Sequence, residues 1–319
     1  MLTSIYSKPL LLLLLTALFV IVLASVLDAN GQRRKGRAVK SAPAKSLTVR
    51  TEAGAVVWLD EVRRGVTDAS AKLTLLNVSS GRHTLRVRAS GFKEATTQLP
   101  ATRRGEIAIK LTRTTDEAEL TFQQAESARE KARDEEARRA AAALYNRALE
   151  LRPGFPAAHV GLARVLLDLN DYRNALAQID EARALRPVYP EASAVEGRIL
   201  RENADADGAI QAFERAIREA RGFQPEAHTG LALVFEDKGR NEEAVAEFRK
   251  AIAQLSDTEP LLYQLLGALY EKMENYKEAV AAYEKFLELA PDSNLAPAVR
   301  SVLDQLRRQA AEQEAASQG

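Results

Sequence analysis

Ala141-Ala-Ala-Leu-Tyr145-Asn-Arg-Ala148, Ala175-Leu-Ala-Gln-Ile179-Asp-Glu-Ala182, Ala209-Ile-Gln-Ala-Phe213-Glu-Arg-Ala216, Ala244-Val-Ala-Glu-Phe248-Arg-Lys-Ala251 and Ala279-Val-Ala-Ala-Tyr283-Glu-Lys-Phe286 are one pattern written five times. A small residue is followed four positions on by a large apolar one, and three later by another small one, except at Phe286. The anchors Ala141, Ala175, Ala209, Ala244 and Ala279 recur at spacings of 34, 34, 35 and 35. A period of this length marks a solenoid whose unit cannot bury its apolar face alone. Ahead of the anchors runs a second stripe: Leu162, Ala163 and Leu166; Gly197 and Leu200; Leu231, Ala232 and Phe235; Leu266, Gly267 and Tyr270. Steps of three and four place each set on one helical face, so every unit is expected to be a pair of helices. Turn residues separate the two helices at Asn170-Asp171, Ala204–Asp207, Lys238–Asn241 and Glu274-Asn275. Pro153, Pro187 and Pro291 follow the second helix, and Pro156, Pro190, Pro225 and Pro260 open the next unit, where a missing N–H costs nothing.

Period, small residues and closing prolines together resemble the tetratricopeptide repeat (TPR) family over residues 118–293. Units fall near 122–155, 156–189, 190–223, 225–259 and 260–293. The resemblance implies an all-α solenoid, a right-handed superhelix of helix pairs that serves protein–protein interaction. His159, Ser193, His228 and Tyr263 stand where the family has an early tryptophan, and Arg221 and Ser256 replace two closing prolines. In the first unit, Gln124–Arg139 is charged and alanine-rich and is read as its degenerate first helix. Leu295–Ala316, with Leu295, Val299, Val302, Leu303 and Leu306 apolar and the far face charged, is expected to be a solvating cap helix within 294–319.

Between Ser46 and Thr112 the period changes to two. Leu47-Thr-Val49, Val57-Trp-Leu59, Leu73-Thr-Leu75, Leu85-Arg-Val87 and Ile107-Ala-Ile109 alternate, punctuated by Gly54, Gly65, Gly81, Gly91 and Gly105. Residues 47–112 are therefore expected to form a small β-sandwich, making the fold class α plus β in separate domains. Glu52-Ala-Gly54-Ala, Gly65-Val-Thr67, Gly81-Arg-His83-Thr-Leu85 and Gly91-Phe92 resemble the PEGA domain, with Thr51 and Asp68 where the family carries prolines. Members of that family occur mostly in envelope and surface proteins, so the resemblance implies a position outside the cytoplasm and no catalytic residues.

With 319 residues, more than one domain is expected. The net charge of +1 hides an asymmetry: residues 30–46 hold six basic residues and no acidic ones, 47–112 hold 11 Lys/Arg against 6 Asp/Glu, and 113–319 hold 27 against 37. Cysteine is absent, which excludes disulfides, thiolate ligands and a cysteine nucleophile. Leu10–Leu27 is an uncharged run of 18 residues behind Lys8. At the helical rise it spans about 27 Å, so residues 1–31 are read as a signal peptide cut after Ala29-Asn30-Gly31, or as a membrane anchor. Export is favoured, with the domains periplasmic or tethered outside the cytoplasm. An uncleaved anchor with Arg33, Arg34, Lys35 and Arg37 behind it would hold them inside. Residues 32–46 are read as a flexible basic linker.

Chemistry is thinly represented. His83, His159 and His228 are the three histidines. His83 lies in an expected strand, and the other two are separated by two repeats, so none belongs to a set with metal-ligand spacing. No glycine-rich phosphate loop and no nucleic-acid recognition element is present. Asp134-Glu135-Glu136 and Glu242-Glu243 read as solvated helix faces. Asn77-Val78-Ser79 is a sequon too short to argue from. The chain is expected to be non-catalytic, with no cofactor and no metal.

Binding remains. First-helix positions not facing their partner would line a concave groove: Val160, Arg164 and Asp168; Ala194, Arg198 and Arg201; Thr229, Leu233 and Asp237; Gln264, Ala268 and Lys272. The TPR carboxylate clamp is not carried over, because the corresponding Gly161, Arg164, Val195 and Arg198 lack its asparagines. The expected function is an envelope scaffold that docks a partner peptide or helix in this groove. The alternative is binding of an anionic envelope polymer or surface layer through the basic β domain, which salt would weaken.

Overall fold

The computed structural model describes residues 45–60, 62–78, 82–100, 103–255 and 258–318. The Leu10–Leu27 run and the basic linker up to residue 44 lie outside them. No helix among the described residues is long and apolar enough to cross a membrane.

Seven strands open the described chain: β1 (Lys45–Arg50), β2 (Val56–Leu59), β3 (Val62–Val66), β4 (Lys72–Val78), β5 (His83–Arg88), β6 (Ala95–Leu99) and β7 (Gly105–Ala108). They form two sheets, ordered β4-β1-β7 and β3-β2-β5-β6, with β1 and β7 parallel and every other pair antiparallel. Leu47, Val49, Val57, Leu59, Leu75, Leu85 and Val87 fill the space between the sheets. Five of these strands carry the alternation noted above. β3 and β6 do not, because as edge strands of the four-membered sheet they are half-solvated and tolerate Arg63-Arg64 and Thr96-Thr97-Gln98. Buried Thr67 fixes the first turn: its hydroxyl donates to Glu52 O at 2.6 Å and accepts from Ala55 N at 2.8 Å. Asp68 Oδ1 accepts from Ser70 N and Lys72 N at 2.9 and 3.0 Å, bracing the next turn where a proline is usual in PEGA domains.

Eleven helices follow among the described residues: α1 (Glu117–Lys131), α2 (Glu135–Leu151), α3 (Pro156–Asp168), α4 (Tyr172–Leu185), α5 (Pro190–Glu202), α6 (Ala206–Glu219), α7 (Pro225–Asp237), α8 (Asn241–Gln254), α9 (Pro260–Lys272), α10 (Tyr276–Leu289) and α11 (Ala296–Gln318). Odd-numbered helices from α1 to α9 are the first of each pair. The five anchor alanines have no solvent exposure, and Tyr145, Ile179, Phe213 and Phe248 behind them are equally enclosed. Their bulk is received by the small positions of the first helices. A Cβ at Gly161 would stand 2.3 Å from the Tyr145 ring, and one at Gly230 would stand 2.2 Å from Phe213 Cζ.

Four of the five pairs turn in the same way. Asn170, Ala204, Gly239 and Glu274 adopt φ of 59°, 61°, 72° and 58°. The residue after each donates its N–H back five positions, as from Asp171 to Leu166 O at 2.9 Å and from Arg240 to Phe235 O at 2.8 Å. That is the bonding of a left-handed helix stop, which satisfies otherwise orphaned carbonyls.

Two expectations need correction. The first unit opens at Glu117, not inside Gln124–Arg139, and its two helices part at Ala132–Asp134. Asp134 is the N-cap of α2, its Oδ1 accepting from Ala137 N at 2.8 Å, and so is not simply a solvated carboxylate. In the cap helix region, Leu295 stays 42% exposed, while Ala296, Val299, Leu303 and Leu306 close the last core.

Candidate functional site

The β domain and the solenoid belong to one compact unit, Ala44–Gly319. Their cores are separate, for the cluster between the sheets contains no solenoid side chain and the helical clusters contain no strand residue. Polar and aromatic groups join them. On β2 and β5, Val57, Leu59, Leu85 and Val87 point into the sandwich, so the alternation sends Trp58, Arg86 and Arg88 outward. Trp58 is the cross-strand partner of Arg86, whose guanidinium stands 4.4 Å from the ring centroid.

Arg88 is the centre of the junction. It bonds Glu94 Oε2 through Nε and Nη2 at 2.9 and 2.8 Å, and Glu126 of α1 through Nη1 at 3.3 Å. Its guanidinium also lies 4.6 Å from the Phe122 centroid. Gln123 stitches the backbone alongside: its Oε1 accepts from Gly91 N at 2.9 Å and its Nε2 donates to Phe92 O at 2.8 Å. Glu126 accepts from the Tyr145 hydroxyl and lies 3.6 Å from Arg129. Further along, Arg164 Nη1 donates to Glu191 at 2.7 Å, and Arg86 reaches the same carboxylate at 3.9 Å. Burial pushes the Glu191 carboxyl up, but Arg164 and Arg86 outweigh it and bring it down to about 2. Burial and the Glu126 charge push the Tyr145 phenol up, so it stays protonated.

Beyond these pairs lies a cavity of about 430 Å³. One wall is Trp58, Arg63, Arg86 and Arg88. The other is built from the first turns of α3, α5, α7 and α9, at Ala157, Glu191, Glu226 and Leu261. The β domain thus sits over the N-terminal ends of the inner helices. Glu259, ahead of α9, acts electrostatically on Arg64 of β3. A second hollow of about 330 Å³, with Arg198, Arg201, Phe213 and Leu233, shares Glu226 and Thr229 with the first. The two therefore adjoin at Glu226 and Thr229 along the inner helices.

The twelve positions expected in the groove divide into groups. Val160 and Ala194 are core residues with 1% and 0% exposure. They cluster with neighbouring first helices, Val160 with Ala192 and Val195, Ala194 with Ala227 and Leu231, because adjacent inner helices pack side by side. Arg164 is occupied by Glu191. Arg201 bonds Asp237 at 2.9 Å and Lys272 meets Glu236 at 3.5 Å, so these form rungs between successive units. Arg198 lies 3.5 Å from Glu226, and Thr229 Oγ1 donates to Pro225 O at 2.9 Å. Leu233 is half-buried in the second hollow, Gln264 and Ala268 are half-buried, and Asp168 is exposed. What sequence reasoning missed is the β-domain wall. Its signal was the pair Arg86 and Arg88, two outward arginines on a strand flanking the single tryptophan.

The histidines are structural. His83 Nδ1 lies 2.5 Å from Asp60, His159 Nδ1 lies 2.8 Å from Gln178, and His228 Nδ1 lies 2.6 Å from Glu247. The last two partners are both nineteen residues downstream, on the second helix of the same unit. A polar pair there replaces the packing of the family's tryptophan. Among the described residues no group of three or more His, Asp or Glu could hold a metal ion.

Antiparallel helix pairs repeating about a concave face, with a β-sandwich seated at one edge, define a helical-repeat scaffold. Tetratricopeptide repeat families match residues 126–190, 160–222, 194–260 and 261–293, and the PEGA domain matches 45–115. The chain belongs to the tetratricopeptide repeat proteins and carries an N-terminal PEGA domain. Among solved structures it is similar to TTC0263, a thermophilic TPR protein of Thermus thermophilus, at 25% identity and a TM-score of 0.50, covering 59% of this chain and 98% of that one. It is also similar to pilF of Pseudomonas aeruginosa, at 19% identity and a TM-score of 0.50 over 61% of this chain and 87% of that one. No curated protein matches the chain. Repeat scaffolds of this fold engage proteins and are generally non-catalytic.

Proposed function

We propose that the protein is a non-catalytic scaffold of the cell envelope that docks an extended segment or helix of a partner protein along its concave trough. The observation that carries this reading is the joining of the two hollows at Glu226 and Thr229, which gives the inner surface room for a chain and not only for a side chain. Leu233 and Leu261 supply apolar contact there, while most of the charged groups are already engaged with one another. The N-terminal run and basic linker would place the scaffold outside the cytoplasm, cleaved or tethered, in keeping with the PEGA resemblance.

Capture of partners from an envelope extract by the full chain, at low and high salt, tests it. Leu233→Asp should abolish capture while Gln211→Asp, an exposed position of α6, leaves it intact. Capture that ignores Leu233→Asp and disappears in high salt would instead favour an anionic polymer held by the basic β domain. Sequencing the N-terminus of the mature protein decides between a cleaved signal and an anchor.

A further inference from the structure

The trough has a distinct end, and its chemistry is not that of the rest. Gln224, immediately before α7, lines the cavity beside Trp58 and is only 5% exposed, yet its side-chain amide hydrogen-bonds to no other described residue. A primary amide offers two donors and an acceptor, the same complement that the edge of an extended peptide backbone requires. Neither amide atom of Gln224 is sealed from solvent, so the unpaired group is available to a ligand in the cavity.

The same cavity holds an exposed leucine. Leu261, in the first turn of α9, is 52% exposed and lines the cavity with Leu255, Leu262, Pro225 and Trp58. The arginines deeper in are committed: Arg86, Arg88 and Arg164 face Glu94, Glu126 and Glu191. A ligand entering there therefore meets compensated charge, an apolar wall and one uncompensated amide. That combination selects a neutral apolar anchor and disfavours a phosphate or carboxylate, which would have to break existing pairs.

Building on the groove reading, we propose that this cavity is an anchoring subsite made jointly by the two domains. It takes an extended peptide whose backbone pairs with the Gln224 amide and whose aliphatic or aromatic side chain inserts between Trp58 and Leu261. The rest of the segment continues past Glu226 and Thr229 towards Leu233. The β domain is thus part of the recognition surface, and removing it removes one wall of the site.

Trp58 is the only tryptophan of the chain and lines this cavity, so its emission responds to a ligand bound there. The probe is a linear peptide selected on the full chain from a randomised phage-displayed library, resynthesised with and without its apolar anchor. The expected result is enrichment of peptides with a shared aliphatic or aromatic residue, a shift of Trp58 emission on binding, and no binding once the anchor is replaced by serine. Gln224→Met and Leu261→Asp should each weaken binding about tenfold, the loss of one hydrogen bond or one apolar contact, with an unchanged melting temperature. Leu261 is exposed, so its substitution keeps the test intact even if Gln224→Met perturbs the fold. Binding that leaves Trp58 emission and both variants unaffected, but is lost with Leu233→Asp, would overturn the subsite while sparing the groove. Enrichment of acidic peptides that salt displaces would also overturn it, and enrichment of none would overturn both.

Discussion

At the residue scale the fold depends on where bulk is withheld. Gly161 and Gly230 have no room for even one methyl, because the Tyr145 and Phe213 rings stand where it would go. Tyr145 is further held by Glu126 and Arg129 and cannot yield cheaply. Gly161→Ala should therefore cost about 1–3 kcal/mol in a urea melt despite alanine's better helix propensity. Ala175→Glu or Ala244→Glu should cost about 3–5 kcal/mol or prevent folding, since a charge and its volume would enter a closed helix contact. The left-handed turn positions predict the opposite sign. Gly239 adopts this φ at ease, whereas Ala204 adopts 61° with a Cβ. Ala204→Gly should raise stability by up to about 1 kcal/mol, read as a higher thermal midpoint, because relief of the strain exceeds the entropy glycine adds to the unfolded chain.

At the scale of elements, the repeated helix pairs were legible because a small-large-small rhythm can satisfy only one kind of contact. The start of α1 was not, since Ala118, Phe122 and Ala125 are a short apolar stripe diluted by charge, and the break at Asp134 announces itself only through a cap. Edge strands β3 and β6 were missed for a related reason: their exposed sides need no alternation. Half of the candidate site was readable. Periodicity gives the inner face of each helix, but not that Val160 and Ala194 turn towards a neighbouring helix, nor that Trp58, Arg86 and Arg88 of another domain line one cavity with Arg164. The junction itself is testable. Arg88→Ala would leave Glu94 to Arg86 alone and Glu126 to Arg129 and Tyr145, and should cost about 1.5–3 kcal/mol by chemical denaturation. Acid acts on the same layer. The folded carboxyl of Glu191 lies near 2, below the unfolded value of about 4.3, so its contribution is complete above that value and is lost as pH falls towards 2. Trp58 emission should therefore be unchanged between pH 7 and about 5 and shift between roughly pH 4 and 2.

At the scale of the molecule, two separately cored domains meet through arginine, glutamate and aromatic rings, and the space left between them is the end of a trough that runs along the inner helices. The solenoid supplies a long floor, the β domain closes it at the N-terminal ends of α3 to α9, and the charged rungs Arg201–Asp237 and Glu236–Lys272 hold successive units in register. Partner recognition in that trough is the central claim. Amide hydrogen exchange of the full chain, with and without a peptide selected on it, tests this most directly. Slowed exchange confined to β2 and the inner helices α5, α7 and α9, reaching as far as Arg201 and Leu233, is the predicted result. Protection confined instead to the outer helices α4, α6 and α8, with β2 and the inner helices unchanged, would contradict it.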